Sequence, residues 1–295
     1  MTVTDGTARA GAELQATVAA LARAASIESA TRDLSEIDGY GALVPAGTDV
    51  YVAWLPRMPY HHVASAARRL REVGMNPVPH IAARQFASRD AAADFLARLR
   101  DGAGVTRALL VAGDCEQIGP YASSADFLAS GLLEAHGVRS VGVAGYPDGH
   151  PRLDLDALDA ALDRKIAQAS GRGIELFVVT QFCFDGDAIL AWLARLRARG
   201  VALPVRVGVA GPTRIRTLLA YAARCGIGDS IRALRAHAIS LPHLLAEHRA
   251  DEVVRRIAAG GPRPGVAGLH CFPFGGFAQA ARWLGAAASG PLPRA

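Results

Sequence analysis

Phe177-Val178-Val179-Thr180-Gln181-Phe182-Cys183-Phe184-Asp185 passes from an apolar run, through a polar side chain, to a helix-start signal. Its β-branched and aromatic residues suit a strand. Side chains alternate along a strand, so Val179 and Gln181 share one face and Thr180 and Phe182 the other. The first face points to a barrel interior and the second lies under covering helices. Asp185 then caps an Ala- and Leu-rich helix over 186–200. A strand that ends in a polar side chain and runs straight into an amphipathic helix is one unit of a parallel β/α architecture.

The same unit recurs in both directions. Short apolar runs at 25–27, 50–53, 77–79, 108–111, 141–144, 205–207 and 266–269 join the run at 177–179, and they end in or beside Glu28, Trp54, His80, Asp114, Tyr146, Gly208 and His270. Helical spacing fills 59–74, 89–102, 124–136, 154–170, 212–225 and 276–287, with a short candidate at 31–40. The predicted fold is α/β: a (βα)8 TIM barrel with an N-terminal helix over 8–25 and extra helices, 230–235 and 239–259, before strand eight. In such a barrel the loops after the strand ends build the active site. A chain of 295 residues with 51% hydrophobic content can bury one large core, so residues 1–295 read as a single barrel domain with loose termini at 1–7 and 286–295.

Composition narrows the partners. The net charge is +5, but the basic residues are spread over helix faces among 27 acids, which argues against nucleic acid. Arginine supplies all but one of the basic residues; Lys165 is the only lysine. Four cysteines show no CxxC pairing, and no apolar leader or run of 18 apolar residues is present, so the expected setting is a reducing cytoplasm without a membrane. Homo-oligomerisation is left open. No GxGxxG or GxxxxGK loop supports a Rossmann or P-loop site. His80, His270, Cys115, Cys183 and Cys271 lie near strand ends, yet thiols there are more often buried apolar groups than ligands, and no metal is expected.

The strand-end residues carry the candidate chemistry. Glu28 follows Ile27 among small residues; a carboxyl recessed in an apolar mouth has a raised pKa and can act as a general acid, whereas pairing with Arg32 would make it structural. Gly113 allows a tight turn before Asp114, which could bind a ring amino group or a developing cation, or else cap the next helix. Gln181 can donate and accept at a heterocycle edge, or bond a neighbouring strand end. Tyr146, held by Pro147, offers a stacking platform or a rigid turn, with His150 close behind. Arg164 and Lys165 could reach a diphosphate or simply face solvent.

Several of these segments resemble methylenetetrahydrofolate reductase, the short bacterial type without a regulatory domain, over about residues 25–276. Val179-Thr180-Gln181-Phe182-Cys183-Phe184-Asp185 is similar to the family's Ile-Thr-Gln-Phe-Phe-Phe-Asp. Val143-Ala144-Gly145-Tyr146-Pro147-Asp148-Gly149-His150-Pro151 is similar to its Val-Ala-Ala-Tyr-Pro-Glu-x-His-Pro. Ser26-Ile27-Glu28, Pro79-His80-Ile81 and Gly113-Asp114 match shorter family stretches. The resemblance implies an FAD-containing barrel of one-carbon metabolism and methionine biosynthesis. It would pass hydride between NAD(P)H and a folate, interconverting 5,10-methylenetetrahydrofolate and 5-methyltetrahydrofolate.

Carried over residue by residue, Glu28 would protonate the imidazolidine nitrogen, Asp114 would stabilise the resulting iminium and contact the pterin, and Gln181 would bind the pterin edge. Trp54, His80, Ala144, Tyr146, His150, Arg164 and Lys165 match positions that hold FAD. The chain departs from the family at Ala112, where an Arg stands, at Trp54, where a Thr stands, at Ile215, where an aromatic residue stands, and at Phe274-Gly275-Gly276, which replaces Leu-Asn-Arg. These departures bear on FAD binding and on the nicotinamide side, and they admit a member that oxidises methyl folate. The alternatives are a barrel methyltransferase using methyl folate without redox chemistry and a folate-binding protein lacking turnover.

Overall fold

The structure, a computed structural model, describes residues 3–30, 33–225, 247–260, 265–274 and 276–290. In chain order the strands are β1 (Ser26–Ser29), β2 (Asp49–Val52), β3 (Asn76–Ala82), β4 (Arg107–Val111), β5 (Ser140–Gly145), β6 (Glu175–Thr180), β7 (Val205–Ala210), β8 (Thr213–Arg214), β9 (Glu247–His248) and β10 (Val266–Phe272). Eight of them close into a barrel in the order β1-β10-β7-β6-β5-β4-β3-β2. Their pairing is parallel, as in Ser26↔His270, Val50↔Pro77 and Ala108↔Val141. The predicted α/β (βα)8 barrel is the observed fold. A short antiparallel ribbon, Thr213↔His248 and Arg214↔Glu247, was not anticipated.

The described helices are α1 (Val3–Arg23), α2 (Tyr60–Glu72), α3 (Arg89–Ala103), α4 (Ser124–Ala129), α5 (Leu132–Ala135), α6 (Leu155–Ala169), α7 (Gly186–Ala198), α8 (Ile215–Cys225), α9 (Asp251–Ala259) and α10 (Phe277–Ser289). Local caps set several starts. Ser88, Ser123, Asp154 and Asp185 each accept a backbone N–H of the first turn, satisfying donors that an isolated helix leaves open. The single helix expected over 124–136 is broken at Gly131, whose φ of 77° a helix interior does not allow. The candidate at 31–40 is a 3₁₀ helix, Leu34–Ala42, capped by Asp33. Helix 230–235 lies outside the described residues, and of 239–259 the described helix is α9. Val3 to Thr7, expected loose, belong to α1, and α10 runs on to Ser289.

The chain forms two compact units. One comprises Met1–Ile27, Gly145–Arg152 and Thr180–Ala295. In it α1 packs on α9, α10 and β10. Phe182, Ala210 and Leu218 form a buried cluster, joined by Phe184, Phe272 and Phe274. Gly208 is required where β7 passes the end of β6, because a Cβ there would lie 2.3 Å from the Thr180 carbonyl oxygen. Asp251 opens α9 and accepts the Trp283 indole N–H at 2.7 Å.

The other unit comprises Glu28–Ala144 and Leu153–Val179. Tyr51, Val78, Leu109, Phe177 and Val179 form its central buried cluster, one or two from each of β2, β3, β4 and β6. Phe177 fits because residue 142 is glycine; a Cβ there would meet its ring at 2.8 Å. Two residues before Tyr51, Val78 and Leu109 stand Asp49, Asn76 and Arg107, on the same strand faces and nearer the strand starts. Asn76 Nδ2 and Arg107 Nη1 donate to opposite oxygens of Asp49 at 2.5 and 2.7 Å, and Arg107 Nε donates to Ser140 Oγ at 3.2 Å. This polar layer satisfies a buried carboxylate below the apolar one.

Candidate functional site

One step beyond the apolar cluster toward the strand ends, the second unit carries Glu28 and His80. Alternation puts His80 on the face of Val78, and the chain runs from Val78 through His80 without a break in β3. His80 Nε2 lies 3.3 Å from Glu28 Oε2, and the two side chains keep 15% and 16% of their surface exposed. Buried Tyr51 meets the imidazole edge-on, with ring centroids 6.2 Å apart. The result is a recessed carboxylate–imidazole pair on an apolar floor. Sequence spacing pointed to each residue separately and gave no sign of the contact. Arg32, the alternative partner for Glu28, lies outside the described residues.

Asp114 sits exposed at the start of the loop after β4. Gly113 turns the chain there with a φ of 92°, and Ala82 lies 3.4 Å from where its Cβ would be, so the expected tight turn is present. Asp114 caps no helix; the first helix after it, α4, is capped by Ser123. Ala112 uses its carbonyl to accept the Arg84 backbone N–H at 2.9 Å.

Trp54 is placed differently from a ligand-stacking residue. Its ring is buried against Phe86 and Phe95, with centroids 4.9 and 5.2 Å away, and its indole N–H donates to the Met58 carbonyl at 2.8 Å. The indole therefore fills protein core, where an aromatic ring contributes most of its burial energy.

On α6, Arg164 is exposed and Lys165 is half-buried. Among the described residues the Lys165 ammonium has no hydrogen-bond or ion-pair partner. Burial, and then the charge of Arg164, hold its pKa below the usual lysine value. A desolvated cation beside a second cation is an arrangement that a bound anion would relieve. Ala144 is half-buried near the end of β5.

In the first unit, Tyr146 and His150 face each other edge-to-face at 5.1 Å, and His150 Nδ1 accepts the Arg152 backbone N–H. Gln181 is half-buried at the end of β6, and its backbone N–H donates to the Gly145 carbonyl at 2.9 Å. Thr180 and Phe182 are both buried, as alternation predicts, and Thr180 Oγ1 accepts the Gly208 N–H at 2.8 Å. A contact that spacing did not suggest ties these loops: the buried Cys183 thiol donates to Asp148 at 3.1 Å. His270 is fully buried, with Nδ1 2.9 Å from Ser26 Oγ. Among the described residues no group of three or more His, Cys, Asp or Glu is arranged to hold a metal ion. No described helix is long and apolar enough to cross a membrane.

Together the fold and the pair at the end of β1 define a (βα)8 barrel protein with a recessed acid at a strand end, the position where such barrels carry reacting groups. A family profile for methylenetetrahydrofolate reductase matches residues 61–228. The chain belongs to that family. Methylenetetrahydrofolate reductase 1 of Schizosaccharomyces pombe is 36% identical over 70 residues, 23% of this chain and 11% of that protein. Methylenetetrahydrofolate reductase 2 of Saccharomyces cerevisiae is 34% identical over 77 residues, 24% of this chain and again 11% of the relative. The matched stretch thus spans about a tenth of these curated relatives. Among solved structures, a Clostridium thermocellum protein that binds two copies of 5-methyl-5,6,7,8-tetrahydrofolic acid superposes with a TM-score of 0.59. That superposition covers 90% of this chain and 92% of that one at 11% identity, and shows the shared fold.

Proposed function

We propose that this chain is a flavin-dependent folate oxidoreductase, interconverting 5,10-methylenetetrahydrofolate and 5-methyltetrahydrofolate with NAD(P)H as the nicotinamide partner. The direction of methyl-folate oxidation is open to it. The observation that carries the reading is the recessed Glu28, paired with His80 at the end of β1 in a chain of this family. A carboxyl in that position can hold a proton and pass it to a bound heterocycle. The Lys165 ammonium, without a partner among the described residues and beside Arg164, suits the diphosphate of FAD. FAD, when bound, supplies the hydride chemistry.

The chain's own part is acid–base and electrostatic. The Glu28 carboxylic proton passes to the imidazolidine nitrogen of methylene folate; the carbon–nitrogen bond to that nitrogen breaks, its electron pair stays on nitrogen, and a 5-iminium cation results. Asp114, exposed after the Gly113 turn, stabilises that cation by charge. Gln181 recognises the pterin edge through its amide, and Tyr146 and His150 contribute cofactor contacts. Arg164 and Lys165 hold phosphate.

The absorbance spectrum of the purified protein is the first test. A flavin band that bleaches with NADH or NADPH and returns with methylene folate supports the reading. A colourless protein that still binds methyl folate overturns it in favour of non-redox folate chemistry. With flavin present, Glu28→Gln should keep the flavin and its reduction by the nicotinamide nucleotide while slowing the folate half-reaction by about 10²-fold or more, the size typical of a lost general acid. Stopped-flow reoxidation by methylene folate at the wild-type rate would remove Glu28 from that role.

A further inference from the structure

The family resemblance assigns His80 to the flavin, but its placement directs it to Glu28. Nε2 stands 3.3 Å from Glu28 Oε2 in an ion-pair approach that falls short of good hydrogen-bond alignment. Such contacts at reacting groups are often loose before substrate binds and tighten afterwards. Both side chains are recessed to about one sixth exposure, and Tyr51, fully buried, meets the imidazole edge-on at 83°. The imidazole is thus packed edge-on against the apolar floor, with its Nε2 facing one oxygen of the carboxyl. An acid must present its proton in a set direction to be effective. A ring nitrogen fixed near one carboxyl oxygen supplies that direction.

We propose that His80 is a positioning residue for Glu28: its Nε2–H holds Oε2 and so orients the carboxyl for proton delivery. The proposal rests on the folate reading above. A neutral imidazole with the proton on Nε2 serves whether Glu28 is protonated or ionised, because Oε2 accepts in both states.

The test compares wild type, His80→Leu, His80→Gln, Glu28→Gln and the double variant His80→Leu with Glu28→Gln. Flavin affinity is read by fluorescence, flavin reduction with NADH and NADPH, and the folate half-reaction by stopped flow. Orientation by His80 predicts that His80→Leu keeps its flavin and slows the folate half-reaction about tenfold or more, that His80→Gln, which keeps an N–H donor, recovers most of the rate, and that His80→Leu adds less than about twofold in the Glu28→Gln background. Weakened flavin binding in His80→Leu, with an unchanged folate rate per bound flavin, would return His80 to the cofactor and overturn the proposal. The pair is also read without any cofactor: the Nε2–H resonance of His80 in ¹H–¹⁵N spectra should carry the downfield shift of a hydrogen bond in wild type and lose it in Glu28→Ala. An unchanged Nε2–H shift disproves the pairing itself. A wild type that binds no flavin instead counts against the folate oxidoreductase reading, and leaves the ¹⁵N comparison to decide the pair.

Discussion

Lys165 is the chain's single lysine, and it sits half-buried beside Arg164 without a counter-charge among the described residues. Desolvation, with Arg164 second, lowers its pKa in the folded state. The unfolded chain therefore binds its proton more tightly, so the charged group works against folding at neutral pH, and this cost disappears as the pH rises through the ordinary lysine range. Lys165→Met should accordingly raise the urea midpoint of the flavin-free protein at pH 7, with an advantage that shrinks as the pH rises toward about 10. The same substitution should weaken FAD binding. A variant that loses stability at pH 7, or binds FAD as wild type does, would refute the view of Lys165 as a strained anion site. The role proposed for Asp114 is also one of charge: Asp114→Asn should raise the flavin midpoint potential, because removing a negative charge favours the anionic reduced form. Dye-linked titration of both proteins reads the difference, and equal potentials would place Asp114 away from the flavin.

At the scale of elements, the loop between β6 and α7 joins a candidate binding residue to a helix start. Asp185 Oδ1 accepts the N–H groups of Asp187 and Ala188 at 2.8 and 3.2 Å, and the Asp185 backbone N–H donates to Cys183 Sγ at 3.4 Å. Losing the side-chain cap exposes two donors at the first turn of α7. Asp185→Ala should cost about 1 kcal/mol and lower the midpoint of thermal unfolding by a few degrees. Asp185→Asn, which keeps an accepting oxygen, should retain most of the stability. Calorimetry on the two variants separates the cap from charge, since a loss of equal size in both would assign the effect to the carboxylate's charge instead.

At the scale of the whole molecule, a diphosphate ligand ought to be held more by charge than by a glycine-rich cradle. Ala112 contributes no cation, and Arg164 and Lys165 remain. FAD at saturating concentration should raise the unfolding temperature of wild type through mass action, by an amount equivalent to about 2.7 kcal/mol when FAD exceeds its Kd about a hundredfold. That increment should fall as salt is added, because screening weakens exposed ion pairs. It should be much smaller in the double variant Arg164→Ala with Lys165→Ala at every ionic strength. Equal increments in the two proteins across the salt series would reduce this helix to a solvated face.

The alternation of strand and helix was legible in the sequence because it depends on local order. Side chains on a strand repeat every two residues, caps such as Asp154 and Asp185 bond within three residues of themselves, and apolar runs announce the strands wherever they fall. Thus Phe177 to Asp185 disclosed both its own strand and the architecture built from its repeats. Contacts between distant segments were not legible, because they depend on register and on which side chains closure of the sheet brings level. Glu28 meets His80, Asp49 gathers Asn76 and Arg107 from two other strands, Cys183 reaches Asp148, and Trp54 turns into an aromatic core. The sequence by itself determined the barrel and singled out Glu28 as a candidate acid; only the tertiary structure set an imidazole against that carboxyl, since a contact across strands is a property of packing and leaves no periodic trace in the chain.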